Sequence, residues 1–205
     1  MTTDPLLKYR EQHKHRLNYM PWLYWSLKTK HREWAEAWQA EYQAYLMEME
    51  TIEIGKNCFI SPLAHIFAER GRKITIGDNT FIAADCTLHG PLEIGNEVAI
   101  NHHCILDGGR AGIKLHDQVR IAAYSHLYAF DHGMDLDRPL YQQPVTSKGI
   151  EIGRDVWLGA HVGIKDGVQI GHHAVVGMNS MVTKDIEDFA IVAGNPARFI
   201  RYRTE

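Results

Sequence analysis

Histidine and a group of C-terminal cations are the residues of this sequence whose types and spacing could do chemistry. The 205-residue chain contains 13 His. An imidazole with an unperturbed pKa of about 6.5 can accept a proton near neutral pH or bind a metal. Arg198 and Arg201 lie three positions apart after a Gly-Asn-Pro turn. Two guanidinium groups at this spacing can face one anionic ligand, or they can form a solvated basic tail.

A six-residue repeat must position these side chains. Residues 152–187 read IGRDVW LGAHVG IKDGVQ IGHHAV VGMNSM VTKDIE when they are cut every six residues. A period of six matches neither an α-helix, with about 3.6 residues per turn, nor a plain strand, with about two. Hexapeptide repeats are a known route to a parallel β-helix, in which each unit stacks on its neighbour.

The repeat can be followed through most of the chain. Eighteen aliphatic residues open successive hexapeptides in six groups of three, which predicts six coils. Extra residues follow only the third member of a group, 4 after Ile66, 3 after Leu106 and 19 after Leu127. If three hexapeptides make one triangular coil, all three insertions leave from the same corner. The eighteen positions are Ile54, Ile60, Ile66, Ile76, Ile82, Leu88, Ile94, Ile100, Leu106, Leu115, Ile121, Leu127, Ile152, Leu158, Ile164, Ile170, Val176 and Val182.

Glycine and small residues occupy fixed slots of this repeat. A Gly follows the first aliphatic residue in five of the six groups, and we expect it to supply the backbone angles of a tight corner. The fifth slot holds small or β-branched residues nearly throughout, and such residues suit a narrow interior. Cys58, Cys86 and Cys104 all fall in this slot, which predicts core residues rather than nucleophiles. The glycines are Gly55, Gly77, Gly95, Gly153 and Gly171.

Residues 1–50 are predicted to form a helical appendage. Asp4-Pro5 is a plausible helix start, with a helix to about His15 before Pro21 interrupts it. Aromatic residues and a Met then recur at helical spacing on one face, and that face must be covered. We expect it to pack against the first coil or a neighbouring subunit; a lid over an active site and a membrane-surface patch are the alternatives. The face comprises Trp34, Trp38, Tyr42, Tyr45 and Met49.

Composition excludes some partners. Charged residues make up 23% of the chain and the net charge is −3, which gives no indication of nucleic-acid binding. No apolar run approaches the roughly 18 residues of a membrane span, and the N-terminus has no apolar signal core. We therefore expect a cytoplasmic protein. An odd number of Cys, 3, also argues against a disulfide framework.

The repeats resemble those of the hexapeptide-repeat acyltransferases over residues 51–201. In that family three strands per turn wind a left-handed β-helix, and three subunits pack side by side. The resemblance implies an all-β fold, a left-handed parallel β-helix of about six triangular coils with an α-helical N-terminal appendage, assembled as a homotrimer. The expected division is 1–50 helical, 51–187 β-helix with an inserted loop at 133–151, and 188–205 a tail that caps the β-helix and contacts CoA.

The long insertion narrows the resemblance to one branch of the family. Long excursions from a regular scaffold are usually functional. The pattern L-Y-x-x-x-H, from Leu127 to His132, is followed by a polar loop and G-I-x-I-G-x-x-V-W-L-G. This arrangement resembles the maltose, galactoside and xenobiotic acetyltransferases. It implies that His132 is the general base, with Asp131 or Asp135 orienting its ring.

The closing run V-x-K-D and A-G-N-P-A-[KR]-x-[IV]-[KR] resembles the same family's C-terminal signature. It implies acetyl-CoA as the co-substrate, no metal, and a sugar or small-molecule acceptor. On the acceptor side, Asn101 matches a family Asn and Asp107 is a weaker candidate. The positions implied to contact the acyl-CoA are Trp157, Gly159, Ala160, Met178, Ser180, Thr183, Lys184, Arg198 and Arg201.

Two other functions remain open on the sequence. Three His from neighbouring subunits could bind zinc, as in the γ-class carbonic anhydrases, which share the β-helix. A non-catalytic scaffold is the other possibility. The acceptor of an acyltransferase could be a sugar, an antibiotic, a lipid-linked glycan or an amine. The remaining candidate histidines are His102, His103, His126, His172 and His173.

Overall fold

A computed structural model describes residues 6–203. Two α-helices, α1 (Leu7–Tyr19) and α2 (Thr29–Met49), precede the strands, and short 3-10 turns lie at Pro21–Leu23 and Leu140–Gln142. The strands are β1 (Ile52–Ile54), β2 (Phe59–Ile60), β3 (His65–Phe67), β4 (Ile74–Ile76), β5 (Phe81–Ile82), β6 (Thr87–His89), β7 (Leu92–Ile94), β8 (Ala99–Ile100), β9 (Ile105–Asp107), β10 (Ile113–Leu115), β11 (Arg120–Ile121), β12 (His126–Tyr128), β13 (Asp131–His132), β14 (Val145–Thr146), β15 (Ile150–Ile152), β16 (Trp157–Leu158), β17 (Gly163–Ile164), β18 (Gln169–Ile170), β19 (Val175–Val176), β20 (Met181–Val182), β21 (Ala190–Ala193) and β22 (Arg198–Tyr202).

The strands form three sheets of a parallel solenoid. Sheet A has the order β1-β4-β7-β10-β15-β18, sheet B begins β2-β5-β8-β11-β16-β19, and sheet C contains β3-β6-β9-β12-β17-β20. One strand from each sheet makes a coil, so six coils are complete. The register pairs the predicted aliphatic positions with one another, for example Ile54 with Ile76 and Ile60 with Ile82. The predicted six coils and their phase are confirmed.

The interior of the solenoid is a single stack of aliphatic residues. Seventeen of the eighteen predicted positions are buried, and Ile54 in the first coil is partly buried. The three cysteines are buried and free. Burial raises the pKa of the Cys58 thiol, because a thiolate is poorly solvated there. The cysteines are therefore core residues, as predicted.

The predicted glycines lie at the A–B corner, where the chain passes from sheet A to sheet B. They are needed there for a different reason from the one predicted. Their φ angles are not positive; the left-handed conformation is found two residues later, at positions such as Asn57 and Asn79, and Asn tolerates it better than most residues. A Cβ on Gly77 would lie 2.6 Å from the carbonyl carbon of Gly95, and one on Gly153 would lie 2.7 Å from a backbone nitrogen. Close approach of successive coils, and not the corner angle, requires Gly.

The helical appendage packs against sheet B of the first three coils, whereas contact with the first coil or a neighbouring subunit was predicted. A second apolar cluster joins Leu17 and Ala35 of the helices to Phe59, Phe81 and Ala99 on the outer face of that sheet. The predicted face of α2 is shifted, because Tyr45 and Met49 are exposed and the buried residues are Ala35, Gln39 and Leu46. Helix α1 runs four residues beyond the predicted end at His15. The predicted start at Asp4-Pro5 lies outside the described residues.

Helix α2 closes the open edge of the first coil. The side-chain amide of Gln39 donates to the carbonyl oxygen of Ile60 at 3.1 Å, and its oxygen accepts the Ile60 N–H at 2.8 Å. Gln43 donates to the carbonyl oxygen of Cys58 at 2.9 Å. These amides occupy hydrogen-bonding groups that a further strand would otherwise take, which protects the edge from pairing with another chain.

The opposite end extends past residue 187, the predicted limit of the coils. Ile186 bridges Ile170 in parallel, β21 pairs in parallel with β19, and β22 pairs antiparallel with β21. The tail therefore continues sheet B for a partial seventh coil and ends in a hairpin. Between residues 6 and 203, no helix is long and apolar enough to cross a membrane.

Candidate functional site

The long insertion forms an arm at the C–A corner of the fourth coil. Strands β13 and β14 pair antiparallel, with His132 opposite Val145. The buried Gln143 holds the base of the arm, since its amide donates to the carbonyl oxygens of Asp135 and Arg138 at 2.7 and 2.9 Å. The His132 ring is exposed and lies 6.2 Å from the Phe130 ring, centroid to centroid. A short hairpin thus presents the imidazole to solvent.

Neither predicted carboxylate orients the His132 ring in the isolated chain. Asp131 forms an ion pair with Lys165 at 3.0 Å, and the backbone N–H of Asp135 donates to Gln143. Over residues 6–203 the ring of His132 forms no hydrogen bond. The Asp131–Lys165 pair joins the arm to the fifth coil.

The B–C corner carries a row of unpaired backbone N–H groups. In the described residues, the N–H groups of His102, Ala123, Ala160 and Met178 have no hydrogen-bond partner, one in each coil from the third to the sixth. The N–H of Ala84 in the second coil donates to the carbonyl oxygen of Asn18 of α1 at 2.7 Å. Unpaired N–H groups are strong donors, so this corner can stabilise a negatively charged oxygen.

Three residues of the closing signature meet at the C-terminal end. Thr183, Lys184 and Arg198 line a cavity of about 480 Å³ together with Phe199 and Tyr202. All five side chains are exposed. Two carboxylates line the same cavity, but both are engaged: Asp185 accepts the N–H of Gln169 at 2.8 Å and Glu187 accepts the hydroxyl of Tyr202 at 2.6 Å. The hydroxyl, ammonium and guanidinium beside them could contact a phosphate-bearing ligand.

Trp157 and Arg201 lie in a second cavity, on the outer face of sheet B. This groove, of about 440 Å³, also contains Arg120, Val175 and Ile191. Trp157 is 53% exposed, which leaves its indole face available for contact. Arg120 belongs to none of the sequence motifs, but the repeat places it in the slot that holds Phe59, Phe81 and Ala99 in the earlier coils.

Gly159 and Ser180 are buried in the scaffold, and their contact with the acyl-CoA stays a prediction. Ser180 is 2% exposed; its hydroxyl donates to the carbonyl oxygen of Gly177 at 2.6 Å and accepts the N–H of Gly194. Gly159 is buried, and a Cβ there would lie 2.6 Å from the backbone nitrogen of Met178. Ala160 and Met178, in contrast, are accessible at the B–C corner.

The predicted acceptor residues lie in the third coil. The side-chain amide of Asn101 donates to the carbonyl oxygen of Ile121 at 2.9 Å. Asp107 lies 3.4 Å from Nδ1 of His89 and 3.8 Å from the guanidinium of Arg72. Asp107 is therefore held in a charged network at the C–A corner.

The other histidines form no metal site in the described residues. Residues 6–203 contain no group of three or more His, Cys, Asp or Glu arranged to hold a metal ion. His103 and His161 stack on Tyr124 at centroid distances of 4.7 and 4.9 Å. A cavity of about 870 Å³ on sheet A contains none of the predicted site residues, and Lys and Glu side chains are part of its lining.

His132 and the free N–H of Ala160 lie at different corners of the same chain. His132 leaves the C–A corner and Ala160 lies at the B–C corner, so the side of the coil that carries sheet C separates them. One six-residue side spans up to roughly 20 Å at about 3.3 Å per residue. In the isolated chain the imidazole and this N–H belong to separate surfaces.

A parallel solenoid of hexapeptide coils with an inserted arm is the architecture of a class of transferases. Residues 149–184 match the family model of the bacterial transferase hexapeptide (six repeats). Galactoside O-acetyltransferase of Escherichia coli (strain K12) is 30% identical over 165 residues, which are 80% of this chain and 70% of the relative. This chain belongs to the hexapeptide-repeat acetyltransferases of the left-handed β-helix type.

Solved structures agree with this assignment. AntD, an N-acyltransferase from Bacillus cereus in complex with dTDP and coenzyme A, superimposes with a TM-score of 0.70 at 30% identity, over 79% of this chain and 89% of AntD. A hexapeptide-repeat containing acetyltransferase from Vibrio cholerae gives 0.59 at 25% identity, over 100% and 96%. The chain covers only 44% of the length of a probable acetyltransferase of Mycobacterium tuberculosis. It covers 60% of the length of a putative acetyltransferase of Saccharomyces cerevisiae.

Proposed function

We propose that this protein is an acyltransferase that uses acetyl-CoA and acetylates a hydroxyl group of a small molecule or sugar. The cavity formed by Thr183, Lys184 and Arg198 carries the proposal, because it offers a hydroxyl and two cations to a phosphate-bearing donor, while its two carboxylates, Asp185 and Glu187, are bonded to Gln169 and Tyr202. The relatives support the donor, since AntD binds coenzyme A. We choose a hydroxyl acceptor because the similar galactoside enzyme is an O-acetyltransferase. Acylation of an amine is the alternative, because AntD is an N-acyltransferase.

In the proposed reaction His132 is the general base. Its neutral imidazole takes the proton of the acceptor hydroxyl as that oxygen attacks the thioester carbonyl carbon. The C–O bond forms, the C–S bond breaks, and the proton passes from the imidazolium to the departing thiolate. The free N–H of Ala160 donates to the oxyanion of the tetrahedral intermediate, a contact that is stronger in the transition state than in the ground state.

The proposed assembly is a homotrimer with three sites between subunits. The separation of His132 and Ala160 at different corners supports this arrangement, because the arm of one copy could then face the B–C corner of the next. Closed cyclic assemblies repeat one heterologous interface. A cytoplasmic location, where acetyl-CoA is available, is part of the same proposal.

Replacement of His132 tests the proposal. We expect His132→Ala to lower kcat about 10²- to 10⁴-fold, the usual contribution of a general base. Calorimetric affinity for acetyl-CoA should stay within about twofold of wild type, which separates catalysis from donor binding. His65→Ala is the matched control, because His65 is also an exposed histidine but lies at the opposite end of the solenoid. If His132→Ala keeps full transfer activity towards a panel of hydroxyl and amino acceptors, His132 is not the general base.

A further inference from the structure

Arg120 is an exposed cation in a row that is otherwise apolar from Phe59 to Ile191. On the outer face of sheet B it is paired in register with Ala99 on one side and Trp157 on the other. The row continues through Val175 and Ile191. Helices α1 and α2 cover the same row over the first three coils, so Arg120 is the first residue beyond their cover.

Within residues 6–203 the Arg120 side chain forms no hydrogen bond and no ion pair. The Arg120 guanidinium does not stack on the Trp157 ring either. Among residues 6–203 the cation–π contact is that of Lys14 over Trp38. The one carboxylate lining the groove, Asp155, is already used by His173 and Arg203, at 2.9 and 3.2 Å. The groove therefore keeps uncompensated positive charge in a chain whose net charge is −3.

The position of Arg120 points to the acceptor rather than to the acyl donor. The residues proposed to bind the donor, Ala160, Lys184 and Arg198, lie in the fifth coil and beyond it. Arg120 lies in the fourth coil, from which the His132 arm also leaves. Arg201, at the far end of the same row, is four strand spacings from Arg120, or about 19 Å at roughly 4.8 Å per strand. The two guanidiniums therefore serve opposite ends of the site.

We propose that the groove of Arg120 and Trp157 binds an acceptor that carries a negative charge, a phosphorylated or carboxylated sugar or a molecule of similar size. Its volume of about 440 Å³ falls in the range of small-molecule sites. Trp157, which the family resemblance assigned to the acyl-CoA, is reassigned here, because it shares the groove with Arg120. Its indole packs against the ring of the acceptor, and the Arg120 guanidinium bonds the anionic group in bidentate fashion. This assignment rests on the proposed acetyl transfer and names its substrate class.

Paired ligands test the charge requirement. Glucose, glucuronate and glucose 1-phosphate are titrated into the full-length protein by calorimetry and then supplied as acceptors with acetyl-CoA. We expect the two anions to bind at least about 10-fold more tightly than glucose, the effect of one charged hydrogen bond, and the stronger of them to identify the anionic group. Equal binding of glucose and both anions overturns the proposal.

Variants assign the effect to Arg120. Arg120→Gln should remove the preference for anions and leave acetyl-CoA affinity unchanged within about twofold, whereas Arg120→Lys should keep part of it. Arg70→Gln is the control, because Arg70 is also exposed and forms no hydrogen bond or ion pair in the described chain. Anion preference that survives in Arg120→Gln overturns the proposal.

Two further measurements separate the alternatives. Light scattering should give the same mass for Arg120→Gln and wild type; a smaller assembly means that Arg120 pairs with a second copy and overturns the proposal. If anion binding depends on Arg120, the groove is supported as a binding site. If the same protein binds no acetyl-CoA and transfers no acetyl group, the proposed function is wrong. Acetyl transfer to neutral acceptors that does not depend on Arg120 supports the proposed function and overturns the proposal of an anionic acceptor.

Discussion

At the scale of single residues, the B–C corner differs from the A–B corner in how its backbone is satisfied. At the A–B corner, side chains of the next coil accept backbone N–H groups, as Asp78 accepts that of Lys56 at 2.7 Å and Asn96 that of Asp78 at 2.8 Å. At the B–C corner the N–H groups of Ala160 and Met178 have no partner in the described residues. The B–C corner therefore keeps exposed donors in successive coils, whereas the A–B corner satisfies most of its N–H groups with side chains.

A prediction at this scale concerns the cations at the C-terminal end. Lys184→Ala and Arg198→Ala should each raise the Kd for CoA about 5- to 50-fold, because each removes a charged hydrogen bond to phosphate. The loss should shrink as salt rises, since the side chains are exposed and screened. Calorimetry between 50 and 500 mM salt, values chosen to span roughly threefold in Debye length, measures both effects.

The control for these cations is Lys56→Ala. Lys56 is an exposed lysine of the first coil whose side chain makes no hydrogen bond or ion pair in the described residues. Its loss should leave the Kd for CoA unchanged. If both end variants bind CoA as tightly as wild type at low salt, the cavity at the end of the solenoid does not hold the donor.

At the scale of elements, local pattern determined what could be predicted. The hexapeptide period predicts six coils and three insertions at one corner because each aliphatic residue occupies its slot through local spacing alone. The role of Gly77 was not predictable, since it depends on how closely the next coil approaches. The buried face of α2 was shifted for the same reason: the sheet, through Ile60 and Phe59, selects Gln39 and Ala35 over Tyr45.

The candidate site shows the same division. The motifs identify His132, Thr183, Lys184 and Arg198 as single positions, and the structure brings the last three together. The partner of Asp131 is Lys165, 34 positions further along the chain, a pairing that no motif encodes. The role of Arg120 was not predictable from motifs, because the residues beside it, Ala99 and Trp157, come from adjacent coils and not from its neighbours along the sequence.

Loss of the edge contact of α2 provides a prediction about stability. Gln39→Leu removes both hydrogen bonds to Ile60 and leaves a buried N–H and C=O unpaired. We expect the free energy of unfolding to fall by about 2–4 kcal/mol. Urea unfolding at fixed protein concentration, followed by circular dichroism, measures the change.

Gln12→Leu is the matched control for this variant, because Gln12 is an exposed residue of α1, and its replacement should change stability by less than about 0.5 kcal/mol. Equal urea midpoints for Gln39→Leu and wild type would show that the helix does not stabilise the first coil through these bonds.

At the scale of the whole molecule, the separation of His132 and Ala160 by one side of the triangle leads to the last prediction. If the arm of one copy acts at the B–C corner of the next, two inactive variants can complement each other. His132→Ala removes the base and keeps the corner. Ala160→Trp keeps the base and covers the corner with a large side chain. In a mixed cyclic trimer, one interface of three combines an intact arm with an intact corner.

Co-expression of the two variants with different affinity tags tests this arrangement. Random mixing at equal amounts gives mixed trimers in about three quarters of assemblies, each with one intact site of three, so activity should recover to about one quarter of wild type. Each variant alone should be inactive, which calibrates the recovery. Mixed assemblies purified on both tags that stay inactive would place His132 and Ala160 in the same site of one chain, or would exclude one of the two from the site. Recovery near one quarter, in contrast, requires that neighbouring copies share each site.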